Sequence, residues 1–440
     1  MTDAGDFTPH TPEDISAMLA AIGVDDVAEL FATIPVTLRD PSIDLPGAMS
    51  EPDVVRHVEE LAWRNSPAGA GVCFLGGGVY DHYVPAAVRA LVSRGEFATA
   101  YTPYQAEASQ GTLQALFEYQ TMIAELLGLA VSNASLYDGG TALVEAVNLA
   151  AMRREARRVL LCDGVNVRYR RVLQTYAGGL GISVEVLPET NFGTDPSVVV
   201  GDGDVLAIVV QQPNAYGFLE DAAELAAATK AVVIGIADPM TLGLIAPPGE
   251  WGAHIAIAEG SALGNPMAFG GQCVGFFACT DEFARFMPGR LVGETVDADG
   301  RRGYVLTLQA REQHIKREKA GSNICTNQTL FALASAFHLA WLGPGGLKHV
   351  GVLSSGLAHE AAALIEAKTE FRLASDRPFV REFALRGPKP AEEVVSELRH
   401  RGLWVGPVPA PDVFNVAFTE RRTTADMDAL VEALREVGKS

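Results

Sequence analysis

The sequence predicts an α/β protein built on a parallel or mixed sheet that is buried on both faces. Short apolar runs recur at 159–162, 184–187, 205–210 and 232–237, each separated from the next by helical or loop sequence. Unbroken hydrophobicity, rather than alternation, marks strands covered on both faces, and the intervening segments supply the crossovers between parallel neighbours. Runs at 253–258 and 274–278 add two strands, the second a candidate for the antiparallel sense. Upstream, 114–127 reads as an amphipathic helix and 131–136 as a strand, and Asp138-Gly139-Gly140-Thr141 opens a helix over 142–154. Beyond about residue 330 the pattern is that of a smaller α+β unit, with strands at 379–385 and 413–418 and helices at 390–400 and 424–437.

The first 65 residues read differently. Residues 11–34 form a pair of short helices, the first capped by Thr11, with Pro12 at its first position and Asp14 completing a capping box. Ile15, Met18, Leu19 and Ile22 give it one apolar face. Pro35, Pro41 and Pro46 mark an extended connector, and a further helix starts in 51–65. The expected division is an N-terminal helical arm (1–65) that clasps a neighbouring chain, a large α/β domain (66–330) and a small C-terminal α+β domain (331–440).

Composition narrows the function. Hydrophobic residues make up 48% of the chain, enough for a large core. With 34 Lys and Arg against 54 Asp and Glu the net charge is −20, which argues against nonspecific binding to nucleic acid. No run reaches the ~18 apolar residues expected of a membrane span. The start, MTDAGDFTPHTPED, lacks the basic and apolar regions of a signal peptide. Five cysteines without a CxxC pair point to reduced thiols in the cytoplasm, and the nine histidines show no zinc spacing.

Against this acidic background, residues 311–327, REQHIKREKAGSNICTN, gather Arg311, His314, Lys316, Arg317 and Lys319 within nine positions. The spacing of Arg311, His314, Ile315 and Glu318 is helical, and Gly321, Ser322 and Asn323 end that helix in a polar loop. Such a concentration of cations points to an anionic ligand, cofactor or partner. The plain alternative is a solvated face paired with Glu312 and Glu318.

This segment closely resembles the signature of the glycine-cleavage P-proteins, the pyridoxal-phosphate glycine decarboxylases. Two further stretches agree: 74–129, FLGGGVYDHYVPAAVRALVSRGEFATAYTPYQAEASQGTLQALFEYQTMIAELLGL, and 133–146, NASLYDGGTALVEA. The length resembles that of the split form, in which two subunits share the work done elsewhere by one long chain, and the best match is subunit 1, the amino-terminal half, which works with a lysine-bearing subunit 2. The resemblance implies the fold-type I architecture of pyridoxal-phosphate transferases. It also implies decarboxylation of glycine and transfer of the aminomethyl group to the lipoyl arm of the H-protein.

Enzymes of that fold need a carboxylate on the pyridine nitrogen, amides around the phosphate, and a lysine that holds the cofactor covalently. Asp238, after the run 232–237, suits the first role, although a strand-end Asp satisfying loop amides beside Pro239 would look the same. Asp138, Gly139, Gly140 and Thr141 suit the second, although a plain helix cap explains them equally. The third is missing. The relevant region, 255–271, reads IAIAEGSALGNPMAFGG, and no lysine occurs between Lys230 and Lys316. Where the catalytic partner of the family carries His-Lys, this chain has Gly260-Ser261.

The expectation is therefore a degenerate cofactor cavity, with pyridoxal phosphate held by the partner subunit. Tyr101, Tyr104 and Gln105, together with Ser322 and Asn323, are the residues expected to complete the partner's site. Packing of the two tyrosines at an interface is the alternative. Gly321 stands where the family commonly has Thr, which removes one hydroxyl. Tyr80-Asp81-His82-Tyr83 reads as a loop clamp after Gly76-Gly77-Gly78 rather than as acid–base equipment, and Phe269-Gly270-Gly271 as a turn. Rival readings are an independent enzyme with a displaced lysine and a non-catalytic scaffold for the H-protein.

Overall fold

The computed structural model describes residues 10–39, 42, 44–199, 203–268, 271–322 and 324–439. The chain divides into two compact units, Met1–Ser66 and Pro67–Ser440.

In the first unit, helix α1 (Pro12–Ile22) begins at Thr11, whose hydroxyl accepts from Asp14 N while the Asp14 carboxylate returns to the Thr11 amide. Gly23, at φ 87°, closes it in the left-handed conformation that favours glycine. The second member of the expected pair is a 3₁₀ turn, Val27–Phe31, followed by another at Val36–Leu38 and by helix α2 (Glu51–Ala62). None of these elements has a buried residue, and Ile15, Met18 and Ile22 of α1 all stand exposed.

The second unit opens with β1 (Val72–Cys73), α3 (Ala86–Val92), α4 (Gly95–Ala98) and α5 (Gln110–Leu127). It continues through β2 (Val131–Ser132), α6 (Gly139–Ala151), β3 (Arg158–Leu161), α7 (Val167–Leu180) and β4 (Ser183–Val186). A small hairpin, β5 (Glu189–Thr190) and β6 (Gly193–Thr194), precedes β7 (Val205–Gln212), α8 (Ala222–Ala227), β8 (Val232–Ala237), β9 (Ile255–Glu259) and β10 (Gly275–Cys279). The central sheet runs β2-β10-β9-β8-β7-β3-β4. Strands β4, β3, β7, β8 and β9 are parallel, while β10 is antiparallel to both β9 and β2. Strands β7 to β10 are almost wholly buried, as their unbroken hydrophobicity predicts. Strand β4 departs from that expectation: it is a sheet edge, pairs only with β3, and is largely exposed. The strand expected over 131–136 shrinks to two residues because Ser135 takes a φ of 141°, and only Leu136 rejoins the sheet, opposite Gly275.

Two features after the sheet differ from the sequence reading. A hairpin, β11 (Leu291–Val296) and β12 (Arg302–Thr307), was not anticipated. The charged segment is not one helix: it is a 3₁₀ turn (Gln309–Arg311), a single α-turn, α9 (Gln313–Lys316), and another 3₁₀ turn (Arg317–Lys319). Arg317 breaks it with a φ of 51°, so the five basic side chains do not share a face.

Helix α10 (Thr329–Lys368) is interrupted at Gly343 (φ 60°), just before Pro344. Its length and composition alone would also suit a membrane span. Both halves nevertheless carry core residues, Ala332 and Leu333 before the kink and Ala358, Ala361 and Ile365 after it. The chain ends with β13 (Arg372–Leu373), β14 (Glu382–Arg386), α11 (Ala391–His400), β15 (Leu403–Trp404), β16 (Val413–Ala417) and α12 (Thr424–Lys439). A sheet β13-β14-β16 packs with these helices around Phe371, Phe383, Phe414 and Phe418, and β15 pairs with β1.

Candidate functional site

The C-terminal end of β9 and the N-terminus of α6 meet where a fold of this kind would hold a phosphate. Asp138 caps α6: its Oδ1 accepts from Thr141 N at 2.7 Å, and the Thr141 hydroxyl oxygen accepts from Asp138 N at 3.2 Å. These two residues satisfy one another. The amides that remain at the helix start favour an anion, and the chain supplies its own. Glu259 Oε2 accepts from Gly139 N at 3.0 Å, while Oε1 accepts from Ser261 N at 3.0 Å and Val274 N at 3.1 Å. Burial raises the pKa of this carboxyl against the lowering effect of the three amides. Gly139 is required for a second reason, since a Cβ there would lie 2.2 Å from the Tyr169 hydroxyl.

The carboxylate expected to face a pyridine nitrogen is also occupied. Asp238 follows β8 directly, and its Oδ2 accepts from Nε of Arg381 at 3.0 Å and from Nη2 of the same guanidinium. Asp238 Oδ1 accepts from Met240 N. The Arg381 side chain is 2% exposed and its guanidinium lies 3.6 Å from the centroid of the Tyr80 ring. Tyr80 in turn donates to Glu382 Oε2 at 2.7 Å, and Glu382 Oε1 accepts from Gly77 N and Asn415 Nδ2. Burial pushes the Glu382 carboxyl up. The cavity left between Tyr80, Tyr169, Asp238, Glu259 and Ala262 measures about 40 Å³. That volume holds a few waters, whereas small-molecule sites span roughly 300–1,000 Å³. The residues present do not fit pyridoxal phosphate: the lysine is missing, the amide cradle is filled by Glu259, and the pyridine-facing carboxylate is taken by Arg381.

The other set of expected residues gathers elsewhere. Tyr101 and Tyr104 are exposed on the loop before α5. The Tyr101 hydroxyl lies 3.0 Å from Thr326 Oγ1, and the Tyr104 hydroxyl accepts from Arg290 Nη2 at 3.0 Å. Arg290 is 3% exposed. Its Nη1 donates to Asn327 Oδ1 at 2.7 Å and its Nη2 to the Cys325 carbonyl at 2.5 Å, while the guanidinium lies 5.2 Å from the Tyr104 ring centroid. His314 meets Tyr104 edge-on. Residues 101–104 and 325–327, far apart in sequence, are thus joined into one rim with a buried arginine behind it.

The remaining members of that set stand as follows. Gln105 is exposed. Asn323 lies outside the described residues. Ser322 is buried, and its Oγ accepts from Gly289 N and Ile324 N at 3.3 Å each. Ser322 faces inward, and bringing it to a partner's ligand requires the loop to turn. A Cβ on Gly321 would sit 3.2 Å from the end of the Met152 side chain, so the glycine keeps this turn close against α6.

Burial raises the Glu145 carboxyl from 4.5 to about 7. The folded chain therefore holds this proton more tightly than the unfolded chain, and stability falls as pH rises from about 4.5 to about 7. Glu145→Gln should flatten that part of a urea-melt pH series and make the protein more stable than wild type at pH 8.

Tyr80-Asp81-His82-Tyr83 is a clamp, as its sequence reading favoured. Asp81 pairs with Arg421 and Arg422, while Glu420 receives His82 Nδ1 and Tyr83 N at 2.7 Å each. Those contacts hold the Glu420 carboxyl down at about 2 despite its burial. Gly77 and Gly78 take φ values of 65° and 97°, which accounts for the glycine run before the clamp. Sequence reasoning missed Glu259, Arg290, Arg381 and Glu382. None lies in a motif, and only the absence of a lysine near Gly260 hinted that the pocket had changed.

The fold is that of the fold-type I pyridoxal-phosphate enzymes. Solved structures of a sphingosine-1-phosphate lyase from Burkholderia pseudomallei and of a Lactobacillus brevis glutamate decarboxylase superpose with TM-scores of 0.68 and 0.67. At 15% and 13% identity, those matches establish architecture alone. Within that class the chain belongs to the glycine cleavage system P-protein family, whose model matches residues 6–434. It is 46% identical over 442 residues to a probable glycine dehydrogenase (decarboxylating) subunit 1 of Carboxydothermus hydrogenoformans, covering 97% of this chain and 99% of that one. A counterpart from Chloroherpeton thalassium is 44% identical over 441 residues, covering 98% and 99%. A crystal structure of a glycine decarboxylase (P-protein) of the glycine cleavage system, in inhibitor-bound form, superposes with a TM-score of 0.91 at 47% identity, covering 98% of this chain and 100% of that one.

Proposed function

We propose that this chain is subunit 1 of glycine dehydrogenase (decarboxylating) and that it completes the active site of a lysine-bearing glycine dehydrogenase subunit 2. The observation that carries this reading is the contrast between its two candidate sites. The cofactor position in this chain is closed by its own Glu259 and Arg381, while Tyr101 and Tyr104 stand exposed on a braced rim. Pyridoxal phosphate, held covalently by the partner, would supply the electron sink for decarboxylating glycine, with the lipoyl arm of the H-protein as the acceptor of the aminomethyl group.

This chain's part is to bind and orient. The phenols of Tyr101 and Tyr104 offer donors and ring faces, and Gln105 offers an amide to a small carboxylate such as that of glycine. Arg290 fixes Tyr104 relative to Cys325 and Asn327; Asn323 would approach the partner's cofactor, and Ser322 would do so once its loop turns outward. The exposed apolar side chains of α1, with Phe31 and Trp63 of the same unit, suit an arm that clasps the partner, in line with treating 1–65 as an arm, 66–330 as the large domain and 331–440 as the small one. The reduced cysteines suit a cytoplasmic enzyme.

The test is glycine–bicarbonate exchange by the reconstituted two-subunit complex with H-protein. Tyr101→Phe combined with Tyr104→Phe and Gln105→Ala should lower turnover at least ~10-fold, about 1.4 kcal/mol of transition-state stabilisation, while the subunits still co-elute on gel filtration. Undiminished turnover in a variant that also carries Ser322→Ala would refute the reading.

A further inference from the structure

The function proposed above leaves most of the charged 311–319 segment unused. Arg311, Lys316 and Lys319, joined by Arg285 from the 3₁₀ turn Asp281–Phe286, line a cleft of about 550 Å³. Its other walls are apolar, chiefly Met152 at the end of α6 and Phe286, and no carboxylate lines it. Among the described residues Arg285, Lys316 and Lys319 form no ion pair. The nearest acids in sequence do not neutralise them: Glu312 is buried and turned to His314 at 3.7 Å, while Asp281, Glu282 and Glu318 lie outside the lining. Arg153 adds a fifth cation, 5.3 Å from the Phe286 ring centroid.

Arg311 shows that the cleft is built rather than a chance cluster. Its Nε donates to the Leu308 carbonyl at 2.9 Å and its Nη2 to the Gly289 carbonyl at 3.1 Å, so the guanidinium is fixed. Its Nη1 is buried and makes no hydrogen bond. Burial pulls the pKa of this arginine down against the partial attraction of Glu312, and among the described residues no carboxylate forms an ion pair with it. In a chain of net charge −20, such a spot is a local reversal of sign.

We propose that this cleft binds an organic phosphate, with the phosphate held between Lys316 and Lys319 in the positive field of Arg311 and the apolar part against Phe286 and Met152. A tetrahedral dianion accepts from cations approaching in several directions, whereas a planar carboxylate is matched by one guanidinium edge. The volume falls within the range of small-molecule sites and far exceeds what inorganic phosphate fills.

Isothermal titration of the full-length chain with phenyl phosphate, at low ionic strength and without the partner subunit, tests this independently of the catalytic reading. Saturable one-site binding is expected, at least ~5-fold tighter than that of inorganic phosphate or benzoate. Lys316→Ala with Lys319→Ala should weaken it roughly tenfold, equivalent to about 1.4 kcal/mol, and Arg311→Met should weaken it as well. Because Arg311 also holds two backbone carbonyls, the exposed lysine pair is the decisive variant, with far-UV circular dichroism as the check on folding. Unchanged affinity in the lysine variant, phenyl phosphate binding no better than inorganic phosphate, or the lack of saturable heat would each overturn the assignment.

Discussion

Glu259→Ala should lower the unfolding free energy by roughly 3–5 kcal/mol, and inorganic phosphate should restore part of the loss. Truncation removes the acceptor of three backbone donors, those of Gly139, Ser261 and Val274. Each buried donor left without a partner costs about 1–3 kcal/mol. Removing a buried carboxylate returns some desolvation energy, and water entering the vacated space offsets more, which keeps the sum below three full penalties. In a urea melt the midpoint should fall with little change in slope, since the surface exposed on unfolding is nearly the same. The vacated amides at the start of α6 then form an ordinary anion site. Phosphate at a hundred times its dissociation constant for the vacated site would return about 2.7 kcal/mol to the variant beyond whatever it gives the wild type. Equal response of both proteins to phosphate would show that Glu259 does not occupy that site. Glu259→Gln provides a second readout. Burial raises the Glu259 carboxyl above 4.5, so the folded state retains its proton to higher pH than the unfolded chain, and stability declines as pH rises above about 4.5. The amide variant should lack that part of the decline.

Glu259 also marks where the sequence stops being legible. The sheet could be read from its apolar runs because strands buried on both faces admit little else, and the antiparallel sense of β10 agreed with the reading. The capping box at Thr11 and the cap at Asp138 are local patterns and were equally visible. A Glu closing the run IAIAE looks like a strand end, and only the spatial meeting of β9 with α6 turns it into a counter-charge for helix amides. Arg290 is hidden for the same reason, since its partners come from positions 104, 325 and 327. The charged segment misled in the opposite direction. Its spacing is helical, yet Arg317 adopts a positive φ, so residues that would have lined one helix face line a cleft and a rim instead. The hairpin β11–β12 carries only an alternation of partly buried positions in β12, a weak signal beside the unbroken runs of the central sheet.

Arg381→Met should be at least as damaging as the loss of Glu259, and Asp238→Asn should repair much of it. The single change leaves the Asp238 carboxylate, 13% exposed, with Met240 N as a donor and no cation beside it. It also strips the stacked charge from the Tyr80 ring and leaves Glu382 without its nearest positive neighbour. Breaking a buried pair from one side costs about 3–5 kcal/mol, because the surviving charge stays desolvated. Replacing both members removes the charge as well as the pair, so the double variant should recover about 2 kcal/mol relative to Arg381→Met, a coupling large enough to measure by a double-mutant cycle. Strict additivity of the two losses would mean that Asp238 and Arg381 are not energetically coupled. The same cycle bears on function. If the pair alone kept pyridoxal phosphate out, opening it should let the chain take up the cofactor covalently. With no lysine at Gly260-Ser261, borohydride reduction of the double variant in the presence of pyridoxal phosphate should yield no specific pyridoxyl-lysine peptide. One lysine modified stoichiometrically and protected by glycine would show instead that this chain carries its own nucleophile, and would remove the ground for assigning the covalent cofactor to its partner.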